Sequence, residues 1–351
     1  MDESTEAEPI GVGIIGAGPV TQAIHLPTLS RLGDTFRVRH IMDTDPGVAK
    51  SVAGRAGASW STTAHDLLLD PAVDVVAVCS PQQFHAEQVI AACQAGKRAV
   101  LCEKPFATSA EEAQQIANIA AEMGTPIIVG AMHTFDPAWL AIQDSWADFP
   151  ARVHTVRSSI LLPPNSTFED VSTEVVGRPA LNRPGPGNDA DRIADGIMGL
   201  AIHDLPLVRR FLPTHRDVDV HFAKSVAPSG YQVVMDASGR TIELHAMMSA
   251  NWQPSWVLEA IADDQALHIE FTPSYVHAGS ARVELRSSQR TVVLGPFSHN
   301  GYEGEWRHLA EVVRGSSPRQ PIDSLVDDLE FALSIANQAA TCVRQSAGAL
   351  G

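Results

Sequence analysis

The sequence predicts an α/β protein. An N-terminal doubly wound parallel sheet is followed by an α/β domain on an open, mainly antiparallel sheet. Three observations carry this. Up to about residue 130, short apolar runs alternate with helix-period segments, as when strands are buried on both faces and joined by crossover helices. Beyond that point the runs lengthen and alternate, as half-exposed antiparallel strands do. The first run ends in a glycine-rich turn that opens a helix, where doubly wound sheets bind ligands. The 351 residues exceed one core, so two domains are expected, 10–130 and 131–351.

The elements follow in order. Ile10 to Ile15 is a buried strand, and a helix pattern runs from about Val20 to Leu32. Val38 to Met42 is a strand, Val48 to Ala56 a helix, and Val73 to Cys79 a central strand. His85 to Ala95 is a helix stopped by Gly96, and Ala99 to Cys102 is a strand. Ser109 and Gly124 have the chemistry of the N-cap and C′ residue of a helix to Met123. Pro126 to Gly130 closes the parallel set. The longer runs are Arg152–Leu162, Val218–Ala223, Tyr231–Ala237, Thr241–Ala250, Val257–Ala262 and Arg282–Leu294. One helix, about Ile193 to Phe211, interrupts them, and a last one spans about Ile322 to Val343. Between Pro163 and Arg192 lies a long segment rich in Pro, Gly, Asn and Asp, expected to be a functional or mobile loop.

Composition narrows the function. Net charge is −16, which disfavours a phosphate-backbone binder, so no nucleic-acid partner is expected. No run reaches the roughly 18 apolar residues of a membrane helix, and the acidic start at Met1–Glu8 lacks a secretory pattern. A disordered lead-in and a cytoplasmic protein are expected. The four cysteines show no metal-like CxxC spacing, and the fourteen histidines no HExxH. No metal is expected.

Three motifs carry chemistry. In Gly16-Ala17-Gly18-Pro19-Val20-Thr21, Gly16 and Gly18 allow a tight turn and close approach of a pyrophosphate to a helix N-terminus. Thr21 stands where a third glycine is usual. Asp43 ends the second strand, where a carboxylate accepts from ribose hydroxyls and repels a 2′-phosphate. That favours NAD over NADP. Ser80-Pro81-Gln82-Gln83-Phe84-His85 follows the central strand. Glu103-Lys104-Pro105 puts a charged pair directly after a buried strand, and a lysine at the rim of a dry pocket trades protons with a hydroxyl. Each motif has a plainer fit: a tight βα turn, a strand cap, a helix start and a surface ion pair.

Taken in this order, these motifs resemble the Gfo/Idh/MocA oxidoreductase family, with Glu-Lys-Pro the most specific step. The resemblance extends through Gly130-Ala-Met-His-Thr-Phe-Asp136-Pro137, Gly196-Ile-Met-Gly199-Leu-Ala-Ile-His203-Asp204 and Gly301-Tyr-Glu-Gly-Glu-Trp-Arg307, covering about residues 10–345. It implies a Rossmann domain and a substrate domain that pairs through its sheet in homodimers or homotetramers. It also implies an NAD(P)-dependent dehydrogenase acting on CH–OH groups of a carbohydrate or cyclitol. The cofactor is expected along Gly16, Gly18, Pro19, Val20, Thr21, Asp43, Ser80, Pro81, Gln83, His85, Glu103 and Lys104, with Met132 near the nicotinamide. Lys104 is expected at the reacting hydroxyl and His203 as general acid/base, with His133, Asp189 and Gly199 beside the substrate.

Two positions depart from the family. An Asp four residues before the catalytic His is common among its sugar and cyclitol dehydrogenases, and here that position is Gly199. His133 stands where several members carry Arg. Asp189, Asp191 and Asp195 are candidate substitutes for the missing carboxylate, and a simple His203–Asp204 pair is the plainer reading of that dipeptide. The missing side chain suggests room for a substituted sugar. A redox-neutral, NAD-retaining lyase, hydrolase or epimerase is the alternative activity, and a non-catalytic sugar or nucleotide sensor a third reading.

Overall fold

The computed structural model describes residues 8–177, 187–227, 229–248, 253–273 and 279–348. Of the expected lead-in only Glu8 falls within them, and the Pro163–Arg192 loop and the end of the Thr241–Ala250 run lie partly outside. The chain forms two compact units. The first comprises Met1–Gly130 with two later segments, Thr173–Arg178 and Glu305–Ile322; the second comprises the remainder. The expected division at 130/131 took no account of those returning segments.

The first unit holds β1 (Ile10–Ile15), α1 (Leu26–Arg31), β2 (Phe36–Met42), α2 (Pro46–Ala56), β3 (Ser59–Ser61) and α3 (Ala64–Leu69). It continues with β4 (Val75–Val78), α4 (His85–Gln94), β5 (Ala99–Cys102), α5 (Ala110–Met123) and β6 (Ile127–Val129). The six strands pair in parallel in the order β3-β2-β1-β4-β5-β6. β1, β4 and β5 are buried throughout, which is why their sequences are apolar runs rather than alternations. β3 and α3 were not expected. Ser-Trp-Ser is a three-residue edge strand, and an edge needs no apolar run. Helix ends follow their capping chemistry: Asp45 accepts from Gly47 and Val48 N–H, Ser109 accepts from Glu112 N–H, and Gly124 adopts φ 65°.

The second unit begins with a 3₁₀ turn, Met132–Phe135, then α6 (Pro137–Ile142), α7 (Phe149–Arg152), β7 (Thr155–Leu162) and α8 (Asn165–Ser172). α9 (Asp189–Gly199), a 3₁₀ turn (Ala201–His203) and α10 (Leu205–Arg209) precede β8 (Val218–Ser225), β9 (Ser229–Ala237) and β10 (Arg240–Met248). β11 (Ser255–Ile261), β12 (Gln265–Phe271), β13 (Arg282–Ser287) and β14 (Thr291–Leu294) complete the sheet. α11 (Gly301–Arg314) and α12 (Ile322–Gly348) end the described chain. The strand order is β14-β13-β12-β11-β7-β10-β9-β8. Every pair is antiparallel except β7–β10.

Three expectations are corrected. The single helix over 193–211 is three pieces, because Gly199 is a poor helix former and Pro206 suits a new first turn rather than a helix interior. The run 282–294 folds into the hairpin β13–β14. The 163–192 segment contains α8 and the start of α9. β12 and α11 were also not expected.

Gly301 shows how tightly the start of the second unit is built. A Cβ there would lie 1.8 Å from the Met132 carbonyl oxygen, a distance only backbone movement relieves. Gly301→Ala is therefore expected to destabilise the protein by about 1–3 kcal/mol, measured as a lower thermal midpoint. An unchanged midpoint would show that the two backbones are not in contact.

Candidate active site

The glycine turn sits at the carboxyl end of β1. Gly16 has φ 95°, and a Cβ on it would meet Cys79 and Ser80 backbone atoms at 2.7 Å, so glycine is required by the neighbouring β4 loop. At Gly18 nothing lies within 4 Å of the Cβ position, which leaves space for a pyrophosphate over the helix start. Thr21 accounts for the absent third glycine. Its hydroxyl donates to the Gly16 carbonyl at 2.6 Å and the residue is fully buried, so the side chain is tucked into the turn. Pro19 and Val20 are half-buried at the helix start.

Asp43 directly follows β2. Its Oδ2 accepts from the Ala17 N–H at 2.9 Å and its Oδ1 from the Asp45 N–H at 3.0 Å. The carboxylate is thereby fixed against the glycine turn, where an adenosine ribose lies in such folds.

After β4, Ser80 donates to Gln88 Oε1 at 2.6 Å, while Pro81 and Gln83 are exposed. His85, expected along the cofactor, lies at the start of α4. It is buried, with Nδ1 2.7 Å from the Pro105 carbonyl and Nε2 2.7 Å from the Ser80 carbonyl. The ring staples the β4 loop to the β5 loop.

Glu103 and Lys104 follow β5. Glu103 Oε1 is 3.0 Å from His25 Nε2, and Oε2 faces the Lys104 N–H at 3.3 Å. Burial works against the Glu103 carboxylate, yet the bond from His25 and the charges of His25, Lys104 and His85 hold it below the usual range. Burial lowers the Lys104 ammonium, and Glu103 opposes that shift without cancelling it. A lysine depressed in this way is suited to exchange a proton with a hydroxyl.

Behind this pair lie three residues to which no motif assigned a role, although Glu305 and Trp306 fall within the Gly301–Arg307 segment of the resemblance. His25 ends a π-type turn, Thr21–His25, and is fully buried; such turns mark functional positions often. Trp306 donates its indole N–H to His25 Nδ1 at 3.1 Å. Glu305 is fully buried, and neither carboxyl oxygen has a hydrogen-bond partner among the described residues. No spacing rule relates His25 to residues 305 and 306; only a glutamate and a tryptophan in an apolar helix face hinted at them.

In the second unit, Asp204 is fully buried. It accepts from Trp256 Nε1 at 2.9 Å and Ser158 Oγ at 2.5 Å, and it faces His133 Nδ1 at 2.8 Å. Asp204 thus has three partners distant in sequence. His133 is buried and stacks on Phe271 at 3.7 Å, so its ring is clamped. His203 occupies the 3₁₀ turn, its ring 5.5 Å from Trp256 and 6.2 Å from His133. Met132 is buried in the first 3₁₀ turn. Asp189 pairs with Arg192 at the start of α9. Gly199 ends α9, and nothing lies within 4 Å of its Cβ position. It lines a cavity of about 290 Å³ with Asn165, Arg192, Asp195 and Met248. Neither His203 nor His133 lines that cavity. Among the described residues, His215, Asp327 and Glu330 form the one group with metal-like proximity. The guanidinium of Arg209 already faces Asp327 at 3.6 Å.

The parallel sheet, the glycine turn and the half-buried Glu103–Lys104 pair are those of a dinucleotide-binding oxidoreductase class. A family described as an oxidoreductase family with an NAD-binding Rossmann fold matches residues 10–131. An inositol 2-dehydrogenase of Saccharopolyspora erythraea is 34% identical over 319 residues, 84% of this chain and 90% of the relative. The chain belongs to the Gfo/Idh/MocA family. Other inositol 2-dehydrogenases, from Saccharopolyspora erythraea and Rubrobacter xylanophilus, align over only 40–41% of their own length. Among solved structures, a UDP-N-acetylglucosamine 3-dehydrogenase of Acidithiobacillus ferrooxidans superposes with a TM-score of 0.74 at 19% identity, covering 96% of this chain and all of that one. A 3-ketoreductase of Actinomadura kijaniata, solved with NADP, gives 0.69 at 18%, covering 93% of this chain and 97% of that one. These two likenesses concern the fold. No helix among the described residues is long and apolar enough to cross a membrane.

Glu305 yields a test of the buried cluster. Burial, joined by nearby Glu103 and opposed by His25, raises its carboxyl well above the usual range. The folded chain therefore keeps a proton that the unfolded chain releases above about pH 4.3. Stability tied to this group is present below that pH and is lost as pH rises toward the folded value. Glu305→Gln removes the dependence. The difference in thermal midpoint, variant minus wild type, is expected to increase from pH 5 to pH 8. A difference that stays flat would mean that Glu305 is ionised in the fold.

Proposed function

We propose that the protein oxidises a secondary hydroxyl of a sugar, glycoside or cyclitol to a ketone, or catalyses the reverse, with NAD as cofactor. The observation that carries this reading is the half-buried Glu103–Lys104 pair at the exit of β5, in the unit that also bears the glycine turn.

Residues Gly16 to Thr21, Asp43, Ser80, Pro81, Gln83 and Glu103 would hold the dinucleotide. The open space at Gly18 and the fixed Asp43 carboxylate fit its pyrophosphate and adenosine ribose. When bound, it supplies the hydride-accepting ring. Lys104, its ammonium depressed by burial, takes the hydroxyl proton in its neutral form. His203 acts as the second acid/base group, and the clamped His133, Asp189 and Gly199 are assigned to the substrate side. His85 braces the loops that carry Ser80 and Lys104, and so the cofactor side of the site. Pairing through the second unit's sheet is part of this reading. On the exposed face of β7 and β10 the in-register pairs Arg157–Glu243, Ser159–His245 and Leu161–Met247 mix charge, polarity and half-exposed apolar surface, a composition that suits a partner surface.

Two outcomes test the assignment. Lys104→Ala is expected to lower kcat by about 10²–10⁴ while NAD affinity, titrated by protein fluorescence, stays near wild type. Near-full turnover in this variant would remove Lys104 from the mechanism. A screen over sugars, glycosides and cyclitols, following absorbance near 340 nm, supplies the substrate for that measurement.

The Asp43 carboxylate is expected to make the protein bind NAD more tightly than NADP, and Asp43→Ser to narrow the gap. Equal or tighter binding of NADP by the wild type would overturn this.

A further inference from the structure

The first unit contains a hydrogen-bonded chain, Trp306–His25–Glu103, that ends at Lys104. Trp306 Nε1 bears a hydrogen and can only donate, and it faces His25 Nδ1 at 3.1 Å. Nδ1 must therefore offer its lone pair. The other ring nitrogen, Nε2, then carries the proton and donates to Glu103 Oε1 at 3.0 Å. The indole donor on Nδ1 and the carboxylate acceptor on Nε2 are accounted for together by the neutral Nε2–H tautomer, with the Cys79 thiol a third neighbour of the ring.

The surroundings push the other way. Burial disfavours a charged His25, but Cys79 and Glu103 favour it strongly enough to raise the ring well above its ordinary range. An imidazolium would set an Nδ1–H against the indole N–H, two donors facing each other. The indole is thus what keeps the ring uncharged. Trp306 is itself held in place, fully buried and packed edge-on against Phe36 at 5.2 Å and His25 at 5.8 Å.

We propose that Trp306 is a positioning residue for the proton-exchanging Lys104: by fixing His25 as the neutral Nε2–H tautomer, it leaves Glu103 a hydrogen-bonded carboxylate with no imidazolium on its His25 side. Among the described residues, six charged or titratable groups face the chain. They are Cys79 after β4, His85 of α4, Cys102 at the end of β5, Glu103 and Lys104 after it, and Glu305 of α11. Cys102, in burial, stays a thiol, and Glu305 keeps its proton. Glu103 is then the anion that sets the charge felt by Lys104, and His25 is the neighbour able to cancel it.

The consequence has a sign. If His25 acquires a second proton, the imidazolium compensates Glu103, and Lys104 loses its ammonium at lower pH. In the oxidation direction Lys104 must be neutral, so the acid limb of kcat/KM moves to lower pH.

The inference rests on the proposed role of Lys104, so the experiment has an arm that needs no turnover. Nitrogen-15 NMR of histidine-labelled protein identifies the tautomer of His25. Wild type is expected to show neutral Nε2–H His25 from pH 6 to pH 9. Trp306→Phe is expected to show the imidazolium within that range. Benzothienylalanine at position 306 keeps the shape of the indole, lacks its N–H and serves where Phe costs folding; it is expected to behave as Phe does. With an active substrate, either variant is expected to shift the acid limb down by about one pH unit, with NAD affinity retained. An imidazolium or Nδ1–H tautomer in wild type overturns the proposal, as does an unchanged His25 in both variants. A displaced tautomer with an unmoved acid limb also overturns it. Absence of turnover on any CH–OH substrate instead sinks the proposed function, while the NMR arm still decides the tautomer.

Discussion

A half-buried carboxylate, Glu103, at the carboxyl end of a parallel sheet is the constraint around which the first unit is organised. An ionised Glu103 in low-dielectric surroundings is tenable only with compensating donors and charge. The chain supplies them from distant places: His25 from the helix after β1, Lys104 from the next position, His85 from α4. His25 in turn needs a donor for its second nitrogen, and Trp306 provides it. This gives a physical reason for residues 305–322 to belong with the first unit although 174 residues separate Gly130 from Glu305. The helix that carries Trp306 completes a polar network that the parallel sheet alone leaves unsatisfied.

The second unit solves the same problem differently. Asp204 is sealed within the unit, and Ser158 of β7, Trp256 of β11 and His133 of the first 3₁₀ turn converge on it. Three donors on one carboxylate fix the relative positions of two strands and a turn, and they hold the His133 ring flat on Phe271. His203, next in sequence to Asp204, inherits its place from that anchor. The break between α9 and α10 is part of the same arrangement, since a continuous helix would keep Gly199 and His203 on one face.

Position-specific residues and recurring apolar runs were legible without coordinates. β1 and β5 have the expected bounds, and Ser109 and Gly124 cap α5 as their chemistry requires. The glycine turn, Asp43 and the Glu103–Lys104 step were visible because each depends on local spacing next to an apolar strand. The edge strand β3 and the hairpin β13–β14 were not, because an edge and a short break leave no distinct hydrophobic period. Thr21 looked like a defect in the fingerprint. Its hydroxyl bond to Gly16 resolves it, but that bond depends on the π-type turn, which has no sequence signature.

Sequence alone determined the fold class, the parallel character of the first strands and the family, because burial period, turn glycines and a charged pair after a strand are local properties. Tertiary structure decided which side chains share protons. His85 became a staple, His133 the partner of Asp204, and His25 the link between Trp306 and Glu103. Each of these choices joins residues far apart in the chain, 71 positions for His133–Asp204 and 281 for His25–Trp306. A histidine's role is set by which donor or acceptor faces each ring nitrogen, and only the folded chain brings those groups into place.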